Sequence, residues 1–291
     1  MAHKAGFINI LGNPNVGKST IMNALTGEKL SIITSKVQTT RHRIMGFVNG
    51  EDFQLVFSDT PGLLKPRYKL QEAMAHFANL ALVDADILLY VTEVNEKEPI
   101  QEEIKTKLNK AEFPVLVVLN KIDLANEDAV KEQISEWEKL IPGAFIIPVS
   151  ALRKFNLEAL WNKIIELLPE HPPYFPKDEI TDKPTRFFVS EIIREKILKY
   201  YQKEIPYSVE IVIESYQESP EIDRIRAIIY CARDSQKSIL IGQGGKAMKK
   251  TGTAARIDIE DFLGKKVYLE LFVKIKKDWR DNDKLLKQFG Y

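Results

Sequence analysis

The chain reads as two domains: an α/β domain, doubly wound on a mostly parallel six-stranded sheet, and a smaller α+β domain behind it. Three observations predict this. Short β-branched runs alternate with helical patterns over residues 5–168, as a parallel sheet with crossover helices requires. Runs such as Ile87-Leu88-Leu89-Tyr90-Val91 and Val115-Leu116-Val117-Val118-Leu119 are apolar at every position, as strands covered by helices on both faces must be. The texture then breaks between Leu168 and Arg186, where Pro169, Pro172, Pro173, Pro176 and Pro184 exclude a helix and make a semi-rigid connector. The boundaries fall at 1–170, 171–185 for the connector, and 186–291.

In the first domain, strands are expected at Gly6–Leu11, Arg43–Val48, Phe53–Phe57, Ala85–Thr92, Val115–Leu119 and Ala144–Val149. Helices should begin near Lys18, Lys69, Ile100, Asp128 and Asn156. The second domain should open with a helix from Phe187 to about Gln202, followed by strands at Tyr207–Tyr216 and Arg224–Arg233. Two helical segments broken at Gly242, a strand over Lys266–Lys276 and a short polar tail helix complete it, in the order α-β-β-α-α-β. No internal repeat or low-complexity tract is present.

Composition excludes whole function classes. The 291 residues carry 42 Lys+Arg against 41 Asp+Glu, a net charge of +1, with 44% hydrophobic residues. A uniformly basic nucleic-acid coat and an acidic disordered chain are both excluded. Split at the connector, however, residues 1–180 hold 20 basic and 24 acidic side chains, and residues 181–291 hold 22 and 17. The second domain is therefore the basic one. A single cysteine, Cys231, rules out an internal disulfide framework and a multi-cysteine zinc site; it reads as a small core residue in a strand and suits a cytoplasmic setting. The first apolar run, Ala5 to Leu11, is too short for a secretory signal, and no run approaches the ~20 apolar residues of a membrane span.

The chemistry-bearing motifs follow the strands. Gly12-Asn13-Pro14-Asn15-Val16-Gly17-Lys18-Ser19-Thr20 comes after the first strand and opens the first helix. Its glycines let backbone N–H groups converge on phosphate at a helix N-terminus, Lys18 would neutralise the β and γ oxygens, and the Ser19 hydroxyl would ligate Mg²⁺. Asn120-Lys121-Ile122-Asp123 follows the fifth strand and chooses the base. The Asp123 carboxylate can accept from the N1–H and exocyclic amine of guanine, donors that adenine lacks, while Asn120 would hold the loop and the Lys121 stem would lie over the ring. At Ser150-Ala151-Leu152 the Ala151 N–H is placed to meet guanine O6.

Asp59-Thr60-Pro61-Gly62 ends the third strand. Asp59 would hold Mg²⁺ through water, and the Gly62 N–H would sense the γ-phosphate. In Gln38-Thr39-Thr40-Arg41 one threonine should close over the metal, and Thr40 is the preferred one. Catalysis is thus assigned to Lys18, Thr40 and Gly62, and nucleotide contact extends to Leu63.

Together these motifs resemble the translation-factor-like P-loop GTPases. The resemblance implies GTP and GDP as ligands and GTP hydrolysis as the reaction. One departure bears on mechanism: Ras-like enzymes orient the attacking water with a glutamine where this chain has Leu63. In relatives with the same apolar replacement a P-loop asparagine helps hold K⁺, and Asn15 occupies that place, so the resemblance implies K⁺-stimulated hydrolysis.

In the second domain Ile241-Gly242-Gln243-Gly244-Gly245-Lys246 carries Gly-x-x-Gly between two helices, followed by Lys249, Lys250 and Arg256 around apolar Ala247, Met248 and Ile257. That setting resembles a type II KH domain, in which the glycine loop clamps the sugar-phosphate backbone of about four single-stranded nucleotides. His3, His42, His76 and His171 show no metal-like pairing. Trp137, Trp161 and Trp279 should pack in helical faces; Trp279, beside Lys276, Lys277 and Arg280, is the candidate for stacking on a base. Glu96, Glu98, Glu102 and Glu103 read as a solvated helix start.

A GTPase half joined by a proline-rich connector to a KH half resembles the Era family of bacterial GTPases over essentially the whole chain. That resemblance implies GTP-controlled binding near the 3′ end of 16S rRNA, action in 16S rRNA processing and 30S subunit biogenesis, a monomer, and a cytoplasmic location with loose peripheral association at the inner membrane. The alternative is a membrane-associated signalling or cell-cycle switch whose RNA binding is secondary. The terminal Lys284–Tyr291 segment is short and lacks a cysteine, so lipid contact would be peripheral at most. A tRNA-modification GTPase should end in a cysteine motif, whereas this chain ends Gln288-Phe289-Gly290-Tyr291. An RNA-binding module with a degenerate nucleotide site is disfavoured by intact Lys18, Ser19 and Asp59.

Overall fold

The computed structural model describes residues 2–97 and 99–291. The chain folds into two compact units, one running to Pro66 and from Met74 to Asp182, the other comprising Arg67–Ala73 and Lys183–Tyr291.

The first unit contains β1 (Lys4–Gly12), α1 (Lys18–Thr26), β2 (Ile44–Asn49), β3 (Phe53–Asp59), α2 (Lys69–Leu80, whose first turn belongs to the second unit), β4 (Ile87–Glu93), α3 (Glu102–Asn109), β5 (Val115–Asn120), α4 (Glu127–Leu140), β6 (Phe145–Pro148) and α5 (Leu157–Leu167). The six strands lie in the order β2-β3-β1-β4-β5-β6. Only the β2–β3 pair is antiparallel; the others are parallel. This is the doubly wound, mostly parallel sheet expected from the apolar runs, and Leu88 to Val91 and Leu116 to Leu119 are all fully buried. Because β1, β3, β4, β5 and β6 run the same way, the loops that follow them leave from one rim. Strand β1 sits between β3 and β4, so the chain reverses its direction of travel across the sheet there, the position at which open α/β sheets bind ligands.

Helix boundaries follow local chemistry. Helix α1 stops at Gly27, which takes φ 76° and returns its N–H to Asn23 O. Helix α4 starts at Glu127 because the Asn126 side chain accepts from Ala129 N at 2.9 Å. Where the sequence reading ends the first domain at residue 170, the compact unit continues to Asp182. Buried Gln54 on β3 accepts from the N–H groups of Tyr174 and Phe175 at 2.7 and 3.0 Å and donates to Phe175 O at 2.8 Å. Phe175 stacks on Phe47 at 4.2 Å, and Ile180 O accepts from Phe47 N at 2.9 Å. Most of the proline-rich stretch is therefore a strap along the sheet.

The second unit adds α6 (Thr185–Tyr200), β7 (Glu210–Gln217), β8 (Ile222–Cys231), α7 (Asp234–Ile241), α8 (Lys246–Leu263), β9 (Lys266–Ile275) and α9 (Asp283–Gln288). The sheet order is β7-β8-β9, antiparallel then parallel. Its core joins Ile193 and Ile197 of α6, Ile225 and Ile229 of β8, Leu240 of α7 and Ile259 of α8, with Cys231 fully buried among them. Strand β8 ends two residues before the expected Arg233 because Gln236 Oε1 takes the N–H groups of Ala232 and Arg233, at 3.0 and 3.1 Å, to begin α7. No helix among the described residues is long and apolar enough to cross a membrane.

Candidate functional site

The loops leaving the common rim enclose a cavity of about 550 Å³ in the first unit. It is lined by Pro14, Asn15, Gly17, Lys18, Ser19 and Thr20 from the first loop, by Thr40, Thr60 and Gly62, and by Asn120, Lys121, Asp123, Ser150, Ala151 and Leu152 from the far side. The phosphate and base motifs thus meet around one space, of the size that holds a small ligand. Gly12, Asn13, Val16, Asp59, Pro61, Leu63 and Ile122 lie outside the lining. The sequence reading missed Ile32, Ile33, Thr34, Ser35 and Leu124, which complete the wall; Gln38 and Thr39 also line it.

The tight turn of the first loop is forced by its neighbours. A Cβ on Gly12, at φ +148°, would stand 2.1 Å from Val91 O, and one on Gly17, at φ +102°, would stand 2.2 Å from Asn120 Nδ2. No side chain fits either place. Lys18 is buried beneath the loop, donating to Gly12 O at 3.0 Å and Asn13 O at 2.8 Å. Burial pulls its ammonium down to about 8, against the attraction of Asp59 and Glu96. An anion in the cavity would favour the charged form.

Ser19, Thr40 and Asp59 converge. Ser19 Oγ donates to Asp59 Oδ2 at 2.6 Å and lies 2.9 Å from Thr40 Oγ1, which is 3.2 Å from the same carboxylate oxygen. Thr39, the rejected alternative, donates to Lys36 O at 2.6 Å instead. Asp59 is fully buried, and its other oxygen, Oδ1, has no hydrogen-bond partner among the described residues. Burial raises the Asp59 pKa, with Ser19, Lys18 and Thr40 opposing. A buried, under-satisfied carboxylate beside two hydroxyls is a set of hard oxygen donors that suits Mg²⁺.

On the base side Asn120 is a brace: its Nδ2 donates to Val16 O at 2.8 Å and its Oδ1 accepts from Ala151 N at 3.0 Å. The Ala151 N–H expected to meet guanine O6 is therefore already engaged, and O6 would have to share it. Asp123 is exposed at the cavity wall and is oriented by Ser150 Oγ, which donates to its Oδ1 at 2.5 Å. Lys121 extends across the cavity wall to Asn15 O at 2.8 Å and pairs with Glu93. Leu63 packs against the apolar cluster of Leu11, Leu88 and Tyr90, and its N–H donates to Gly12 O at 3.1 Å. Its side chain is committed to the core.

In the second unit the glycine loop links α7 and α8. Gly242 takes φ 72° and ψ 173°, and a Cβ there would stand 2.6 Å from the Ala247 Cβ. Gly244 and Gly245 also have positive φ, at 57° and 76°, but face open space. Ile241 ends α7, Gln243 lies within the turn, and Lys246 is the first residue of α8. At 100° per residue, Lys246, Lys249, Lys250, Arg256 and exposed Ile257 share one stripe of α8, opposite buried Thr251, Ala255 and Ile259. Lys250 Nζ lies 4.8 Å from the Tyr200 ring centre, and Arg256 reaches Glu260 at 3.3 Å.

Trp279 is fully buried, with Nε1 donating to Ser208 O at 3.1 Å, so it packs as expected and is removed as a candidate for stacking on a base; two other expectations change. Ala247 and Met248 pack onto the core and leave Ile257 as the exposed apolar member. Glu102 and Glu103 do open α3, but Glu96 is no solvated helix start: it accepts from Asn13 Nδ2 and Thr92 Oγ1. Glu98 lies outside the described residues. His3 and His171 sit at the strap, His171 stacked on Tyr174 at 4.2 Å, and His42 lies near Phe77.

Comparison with known proteins follows the same division. A family model described as a 50S ribosome-binding GTPase matches residues 7–121, and one described as a KH domain matches residues 204–280. GTPase Era of Staphylococcus haemolyticus is 45% identical, with 99% of this chain and 97% of that protein covered. GTPase Era of Alkaliphilus metalliredigens is 43% identical over 100% of both. Among solved structures, Era in complex with MgGDPNP and nucleotides 1506–1542 of 16S ribosomal RNA matches at a TM-score of 0.94 and 38% identity, covering 99% of each chain. An Aquifex aeolicus Era variant bound to GDP and AlF4⁻ matches with the same score, identity and coverage.

Proposed function

The chain belongs to the GTPase Era family, and from that premise we propose that it hydrolyses GTP under the control of Mg²⁺ and acts on 16S rRNA, near its 3′ end, during processing of that RNA and assembly of the 30S subunit. The observation that carries the nucleotide half is the meeting of Lys18, the Ser19–Thr40–Asp59 cluster and Asp123 around one cavity. The RNA half rests on the open glycine turn and the lysine stripe beside it.

Ser19 and Thr40 would hold Mg²⁺ directly and Asp59 through water; when bound, the ion supplies positive charge at the β and γ oxygens. The chain itself does the rest. N–H groups at the start of α1 face the phosphates, and Lys18 is held beneath them by two carbonyls, ready to move to oxygen that carries more charge. Asp123, oriented by Ser150, accepts the two guanine donors. Thr40 and Gly62 both line the cavity, so loss of a γ-phosphate contacted by both would release both loops.

Leu63 cannot orient water by hydrogen bonding. The proposal therefore includes K⁺ as a second source of charge: Asn15 is exposed at the cavity, and its Nδ2 donates to Ser35 O at 3.1 Å, a bond the amide would release to turn its oxygen to the ion. Turnover in K⁺ should exceed turnover in Na⁺ at equal ionic strength; equal rates would remove K⁺ from the mechanism. The proposed site of action is the cytoplasm, with any membrane contact peripheral.

For a switch, RNA must prefer one nucleotide state, with a coupling of ~1–3 kcal/mol. Crosslinking to total RNA in cells tests the partner. Wild type should give a 3′-terminal 16S rRNA peak that a Gly244→Asp, Gly245→Asp double variant loses. An unchanged map would remove the KH assignment.

A further inference from the structure

We infer that Glu96 is a positioning residue of the phosphate loop: through the Asn13 side chain its carboxylate ties the loop to the end of β4 and fixes the carbonyl that holds Lys18. Glu96 Oε1 accepts from Asn13 Nδ2 at 2.8 Å. Its Oε2 accepts from Thr92 Oγ1 at 2.7 Å and, more weakly, from Glu93 N at 3.4 Å. Thr92 is fully buried in β4, beside Val91, which is in register with Gly12. The carboxylate is thus anchored to the sheet and grips the loop from outside.

Neither Asn13 nor Glu96 lines the cavity, so the grip works from behind the ligand. Asn13 O is the nearer of the two carbonyls that accept from Lys18, and Gly12 O takes both Lys18 and the Leu63 N–H. Other tethers hold the loop, among them Lys121 to Asn15 O and Asn120 to Val16 O, both supplied by the base-selecting motif. Glu96 supplies one from a segment that no nucleotide motif marks. A loop that includes non-glycine Asn15 at φ 67° is costly to order. Tethers formed before nucleotide arrives lower that cost at the moment of binding.

This inference rests on the assignment of the cavity to GTP. The test uses the full chain with Mg²⁺ and titrates GDP and a non-hydrolysable GTP analogue by calorimetry. Glu96→Ala should weaken both by about tenfold, the worth of one charge-assisted hydrogen bond. Glu96→Gln keeps an acceptor for Asn13 and a group that can bond Thr92, and should recover affinity to within about threefold. Asn13→Ala should match Glu96→Ala, and the double variant should be no weaker than either single one. Wild-type affinity in Glu96→Ala, losses that multiply in the double variant, or a glutamine as weak as alanine would each overturn the role of Glu96. Failure of the wild-type chain to bind guanine nucleotide would instead undo the GTP assignment.

Discussion

Exchanging Asp123 for asparagine should move the base preference from guanine to xanthine. Ser150 Oγ donates to Asp123 Oδ1 at 2.5 Å, so the hydroxyl will retain an oxygen at that place and turn the new NH₂ to where the second carboxylate oxygen stood. Guanine presents N1–H and an exocyclic amine to this edge, and the NH₂ would meet them donor to donor. Xanthine carries a carbonyl in place of the amine and accepts from it. Two hydrogen bonds to an ionised acceptor are lost, at about 1.5–3 kcal/mol each. The sum of about 3–6 kcal/mol is about 10²- to 10⁴-fold in affinity for GTP. Competition titration of wild type and Asp123→Asn with GTP, XTP and ATP reads this directly, with circular dichroism to verify folding. Retention of GTP affinity within about threefold would refute the assignment of Asp123 to the base. Loss of GTP without any gain for XTP would refute the orienting role of Ser150.

Other consequences follow from single side chains. Lys18→Ala should abolish GTP and GDP binding while the second unit keeps its fold and its RNA affinity no longer responds to nucleotide, measured by calorimetry and filter binding. Gly242→Ala should destabilise the second unit by about 2–4 kcal/mol in urea titration, because its Cβ meets Ala247 at 2.6 Å in a backbone region nearly closed to other residues; Gly244→Ala, in open space at φ 57°, should cost about 1 kcal/mol. Trp279→Phe should cost about 1–3 kcal/mol by leaving the buried Ser208 carbonyl without its donor, with RNA affinity unchanged. The slope of log affinity for single-stranded RNA against log salt should be near −2, since three lysines without ion pairs follow the glycine turn.

Much of the nucleotide site is legible from sequence because each motif sits directly after an apolar run, and parallel strands bring those ends to one rim. The Ile32–Ser35 wall is not legible in this way. Its β-branched residues suggest a strand, but Asn23 on α1 accepts from the N–H groups of Leu30 and Ser31 at 3.1 and 2.9 Å and donates to Ser31 O at 2.7 Å. One side chain thus fixes the two residues that lead into the wall, a bond pattern between positions 23 and 30–31 that no local periodicity announces. The strap depends likewise on Gln54, which sequence shows only as a polar residue within a strand. Glu96 is 83 positions from its partner Asn13, so no local pattern could join them.

The charge split bears likewise on the proposed RNA face. A net of +5 over residues 181–291 describes the domain poorly, because many of its cations are spent internally. Lys196 pairs with Asp258, Lys265 with Asp223, Arg194 with Glu191, Arg226 with Glu270, and Arg256 with Glu260. Lys246, Lys249 and Lys250 have no such partner among the described residues, and all three follow the glycine turn. Affinity for phosphate is therefore set by where uncommitted charge stands and not by its sum. Three lysines beside a turn with room for a sugar-phosphate chain give a localised field. The exposed Ile257 on the same stripe offers the apolar contact that charge alone cannot supply.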